Sequence, residues 1–188
     1  MRGESLKPPA PIPPTDTPTP ETAQPQPPPG NLSKIVLASG SRIYTLDVDT
    51  HQLTMLAEVD HEVLCCPTWS PNRQKVAFAI ASGMYHAVYV VDADGSNLKS
   101  LTFVQRTDGD RPPLSPVWSE DGQHIDFVYG AYGYGGLDQA TSPDGRRMAY
   151  VVTRVENDRL VYELYVKNAD GTQVTKLPSP TRLAGIDW

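Results

Sequence analysis

Tyr129, Tyr132 and Tyr134 are interleaved with glycine in the stretch Tyr129-Gly-Ala-Tyr-Gly-Tyr-Gly-Gly136. Such rings join an apolar body to a polar tip, and on a pliant backbone they suit recognition of a partner surface. The competing reading of this stretch is a scar where regular strands are missing. Three residues before Tyr129, Asp126 interrupts the β-type run His124-Ile-Asp-Phe-Val-Tyr129. A carboxylate in a covered strand has to be paired or solvated, because burying it alone is costly. Asp126 therefore faces a wet channel or is left exposed by an irregular unit, and the abnormal segment beside it favours exposure. Asp126, Tyr129, Tyr132 and Tyr134 are the candidate partner-binding residues.

Other chemistry is harder to build. Asp47 with Asp49, Asp92 with Asp94, and Asp170 bunch carboxylate oxygens as calcium sites do. A calcium loop also needs a longer ligand series and a distal bidentate Glu, and neither follows here. The same aspartates can cap turns through their own backbone amides, which is the reading adopted. His51, His61, His86 and His124 are scattered and lack the spacing of a metal or metalloprotease motif. Cys65 and Cys66 are adjacent, so a disulfide between them would need a strained ring, and the pair reads as two buried thiols. Gly-x-Ser-x-Gly is absent, and Ser39 and Ser82 read as strand-end turns rather than nucleophiles. No catalytic residue, cofactor or metal is assigned.

Composition narrows the partners. The chain has 188 residues and a net charge of −6, with no basic stripe to neutralise a phosphate backbone, so nucleic acid is excluded. No apolar run approaches the length of a membrane span, so direct membrane insertion is excluded. Met1-Arg-Gly-Glu-Ser lacks the apolar core of a signal peptide. The first 30 residues hold 11 of the 19 prolines. Proline fixes φ and removes a donor, so residues 1–31 are expected to be a disordered, proline-rich linker of polyproline II character.

Beyond the linker, one phrase recurs: Trp69-Ser70-Pro71-Asn72, Trp118-Ser119-Glu120-Asp121-Gly122, and Ser142-Pro143-Asp144-Gly145. Each is followed by a short run of strand-forming residues. A second phrase, Val90-Val-Asp-Ala-Asp-Gly95, returns as Val166-Lys-Asn-Ala-Asp-Gly171. Pro-Asp-Gly and Asp-Gly supply tight turns, and runs of β-branched and aromatic residues between them read as many short strands. Taking the Trp position of each phrase as 69, 118, 141 and 188, the steps are 49, 23 and 47. Two full repeats thus flank a short one, and four strands in about 45 residues is the size of a propeller blade. The apolar runs are nearly continuous, which suits sheets covered on both faces. Asn72-Arg73 stands where the other copies have Asp-Gly and is expected to widen that turn.

These motifs resemble the TolB-type, or WD40-like, β-propeller repeat over residues 34–188. The expected architecture is all-β, a propeller of about four blades over residues 32–188: 32–60 with 183–188, 64–104, a short 114–136, and 137–178. Ala184-Gly-Ile-Asp-Trp188 looks like an orphan first strand, so the ring is either closed by this C-terminal strand or remains an open, partial propeller. The resemblance implies a non-enzymatic scaffold for a protein partner, in the periplasm or on the cell surface of a bacterium. Self-association follows if the ring is open. The alternatives are the substrate-gating propeller of a larger prolyl-oligopeptidase-type hydrolase, its catalytic domain absent, or a carbohydrate-binding module using the Tyr/Gly stretch.

Overall fold

The run Ile35-Val-Leu-Ala38 has no polar residue to turn toward water, so it demands cover on both faces. The computed structural model describes residues 32–82, 85–105, 113–129, 139–157 and 159–188, and it supplies that cover. The linker expected over 1–31 lies outside the described residues. The first sheet joins β1 (Lys34–Ser39), β2 (Arg42–Asp47) and β3 (Leu53–Glu58), with β14 (Gly185–Asp187) on the free side of β1. The second contains β4 (Val63–Trp69), β5 (Lys75–Ser82), β6 (Tyr85–Asp92) and β7 (Lys99–Gln105). The third contains β8 (Pro113–Trp118) and β9 (Ile125–Tyr129). The fourth contains β10 (Gln139–Thr141), β11 (Arg147–Glu156), β12 (Arg159–Asn168) and β13 (Thr175–Leu177). Every pairing is antiparallel. No helix occurs among the described residues.

Successive side chains on a strand point to opposite faces, and β1 uses that alternation to feed two cores. Val36 and Ala38 pack with Trp69, Val76, Phe78 and Val91 of the second sheet. Ile35 and Leu37 pack with Ala149, Leu164 and Val166 of the fourth. All four β1 residues are fully buried, and each larger one contributes about 1.5–3 kcal/mol of apolar burial. The packing order is fourth, first, second, third: β10 lies beside β14, β14 and β1 beside β4, and β4 beside β8. Among the described residues no strand of the third sheet packs extensively on the fourth. The C-terminal strand does complete the first sheet, through Val36↔Asp187, Leu37↔Ile186 and Ala38↔Gly185. Among the described residues the four sheets form an open, partial β-propeller.

The repeated phrase builds one turn three times. Ser70, Ser119 and Ser142 each donate their backbone N–H to the carbonyl five residues on, at 2.8–3.0 Å. Each serine Oγ accepts the N–H of that same residue at 2.9 Å. The side chain two places after each serine, Asn72, Asp121 or Asp144, accepts both the serine hydroxyl and an amide of the turn. The turn at Asn72-Arg73 is therefore not widened. Arg73 adopts φ 57°, the conformation that Gly122 and Gly145 adopt at φ 69°, so the non-glycine residue carries the strain and the bonding is unchanged. The second sheet's first strand begins at Val63, earlier than the Trp-Ser phrase suggests, because register shifts flanking Cys65 let β4 pass Pro67 without a regular ladder.

The Asp-Gly turns differ in their surroundings. Gly95 and Gly171 have φ near +88° and +87°, but a Cβ on Gly95 would lie 2.8 Å from the Leu56 carbonyl oxygen, whereas one on Gly171 would meet nothing within 4 Å. Gly171→Ala should cost about 1–2 kcal/mol through the positive φ alone. Gly95→Ala should cost roughly 1–3 kcal/mol more, from overlap with the first sheet's backbone. Urea unfolding of the two variants measures the difference; equal losses would mean that this turn does not press on β3.

Candidate functional site

The third sheet has two unlike faces. Trp118 and Ile125 are cross-strand partners, and the Trp118 Nε1–H donates to the Thr68 carbonyl of the second sheet at 3.3 Å. Val117 and Asp126, the next pair along, point the other way. Val117 is 45% exposed, and Asp126 is exposed beside it. Asp126 is thus solvated on an uncovered face, as the irregular third unit suggested. Tyr129 ends β9 opposite Pro113. Its side chain lies outside the described residues, as do Tyr132 and Tyr134; among the described residues the structure brings together Asp126 and Val117. Val117 carried no signal of its own in the sequence, since its exposure depends on what the sheet lacks.

The turn aspartates are engaged locally. The Asp47 carboxylate accepts the amides of Asp49 and Thr50 and the Ser33 hydroxyl, at 2.8–3.0 Å. Burial pushes its carboxyl up, but the hydrogen bonds from Thr50, Ser33 and Asp49 win and bring it down to about 2. The hydroxyl and amide of Ser96, and those of Thr172, hold Asp94 and Asp170 below the usual carboxylate range in the same way. Such carboxylates are spent on turn geometry.

A polar junction between the first and second sheets was not anticipated. Asp187 on β14 accepts the Trp69 backbone N–H at 2.9 Å. Burial pushes its carboxyl up, against the amides of Trp69 and Trp188 and the charge of Arg73. Arg73 is only 5% exposed; its guanidinium donates to the Lys34 carbonyl and lies 4.6 Å from the Trp69 ring centroid. Burial lowers Arg73 to about 10, with Asp187 pulling it back, and it stays cationic at neutral pH. The sequence signal was an arginine at a turn position that the other copies give to glycine. On the opposite side of the first sheet, Arg147 of β11 sits 5.1 Å over the Trp188 ring and bonds Asp49 at 2.6 Å. These cations bolt neighbouring sheets together.

No protein-family model matches the chain, and no curated protein matches it. Solved β-propeller structures resemble it at low identity. A chain of the nidogen/laminin complex is 14% identical, with 80% of this chain and 61% of that one covered and a TM-score of 0.41. TolB from Acinetobacter baumannii is 18% identical over 83% of this chain and 54% of that one, with a TM-score of 0.38. Hydrazine synthase of Kuenenia stuttgartiensis is 17% identical over 92% and 54%, with a TM-score of 0.37. This chain spans less than two thirds of the length of each.

Arg73→Gly tests the junction. Glycine would relieve about 1 kcal/mol of left-handed strain. It would also remove a charged hydrogen bond of about 1.5–3 kcal/mol and a cation–π contact of about 0.5–2 kcal/mol. The expected net loss in urea unfolding is about 1–4 kcal/mol. A gain in stability would show that the guanidinium contributes nothing across the sheets.

Proposed function

We propose that this chain is a non-enzymatic, TolB-like propeller scaffold that binds a protein partner through the uncovered outer face of its third sheet. One observation carries the reading. The shared turn aligns Ala77, Asp126 and Ala149, and the pairing of Val36 with Asp187 aligns Val36 with them; Val36, Ala77 and Ala149 are fully buried while Asp126 is exposed. A sheet face made to be covered, with an exposed valine beside an exposed carboxylate, is an interface in want of a second surface. The proline-rich residues 1–31 act as a spacer, and the TolB-like repeat supports a place outside the cytoplasm.

A photo-crosslinking amino acid at position 117, introduced in living cells, identifies the protein that covers the face, and calorimetry with that purified protein then measures affinity. Val117→Asp should raise Kd at least about tenfold, equivalent to ~1.4 kcal/mol. Met55→Asp, at an exposed side chain on the outer strand of the first sheet, should leave Kd unchanged. Equal affinity for wild type and Val117→Asp would overturn the proposal.

A further inference from the structure

The fourth sheet carries a face that matches a buried one elsewhere in the chain. Met148, Tyr150 and Val152 alternate with residues that enter the core shared with the first sheet, so they point away from it. By the shared turn, they are equivalent to Val76, Phe78 and Ile80, all buried in the core between the first and second sheets. The likeness extends to the rings. Phe78 and Tyr89 stack with centroids 5.8 Å apart, and Tyr150 and Tyr165 stack at 5.7 Å. Yet Met148, Tyr150 and Val152 remain partly exposed.

One substitution on each side marks this face and the third sheet's outer face as halves of one junction. Between the first and second sheets, Val36 and Val91 share a core. Between the fourth and first, the matching residues are Ala149 and Leu46, again in one core. At the outer faces of the third and fourth sheets, these two positions hold Asp126 and Lys167. Lys167 lies beside Met148 across the strands, with Nζ 5.1 Å from the Tyr150 ring centroid. An apolar contact repeated at two junctions is thus replaced by opposite charges at the third, one on each side. Within one chain the two faces lie at opposite ends of the arc.

We propose that the third-sheet face of one copy docks on the fourth-sheet face of a second copy, with Asp126 meeting Lys167. The inference rests on the docking role assigned above to the third-sheet face and names its partner. The contact joins unlike faces and is made twice, so a twofold axis closes it without leaving a free end. The product is a ring of eight sheets, within the four to eight blades that propellers typically use. An ion pair at a sheet junction adds little attraction when exposed, but it fixes register and rejects like-charged partners.

Two measurements on the full chain test this. Light scattering at micromolar concentration should give twice the chain mass of 20.6 kDa. Asp126→Lys or Lys167→Asp should each raise the half-dissociation concentration at least about tenfold, and the double reversal should restore it. A zero-length carbodiimide crosslink between Asp126 and Lys167, formed in a mixture of isotopically heavy and light chains, should join heavy to light peptides. A monomeric wild type overturns the proposal, as does a crosslink confined to peptides of like label, which would mean closure within one chain. If light scattering shows a monomer while Val117→Asp still weakens a different captured protein, the docking face stands and the second copy falls. If Val117→Asp and both charge reversals leave every association unchanged, both readings fall.

Discussion

The whole arrangement hangs on the pairing of β14 with β1. It joins residues 185–187 to residues 36–38 and so builds the first sheet from two distant parts of the sequence. Without it, β1 would present a bare apolar edge, and the second and fourth sheets would lose the strand that lies between their innermost members. Polar bonds reinforce the junction from outside the ladder. The Trp188 indole donates to the Leu32 carbonyl at 2.8 Å, and the Ala184 amide donates to the Ala38 carbonyl at 2.8 Å. The short strand is thus held at both ends.

From that hub the same logic spreads outward. Sheets meet through apolar alternation, and the two contacts of the first sheet are each finished by a cation laid over a tryptophan: Arg73 over Trp69, and Arg147 over Trp188. Burying Arg73 carries a desolvation cost, which its carbonyl acceptor and the nearby Asp187 offset. Such bonds add direction to contacts that apolar packing alone would leave free to slide. The third sheet is joined to the second on one face, where the Trp118 indole donates to the Thr68 carbonyl, and its other face is where interaction with another molecule is to be sought.

Much of the fold could be read from the residues. The turn phrases located the strands because serine, an acidic or amide side chain, and a left-handed residue recur in fixed order. The role of residues 184–188 was legible because a first-strand motif lacked its own repeat. Arg73 was misjudged: sequence weighs the strain of a non-glycine residue in a tight turn, but not the neighbouring carbonyl that rewards it. The exposure of Asp126 followed from its odd residue type, whereas Val117 and Lys167 were silent. Their meaning lies in which sheet is absent from in front of them, a property of assembly rather than local pattern.

Hydrogen–deuterium exchange of the amides in β1 and β14 tests the hub most directly. If β14 is an integral strand, the amides of Val36, Leu37 and Ala38 and those of Ile186 and Asp187 should exchange together, at the slow rate set by opening of the whole domain. Exchange of Ile186 and Asp187 orders of magnitude faster than that of β1 would contradict the account, since the C-terminal strand would then be a fraying tail on an otherwise self-sufficient sheet.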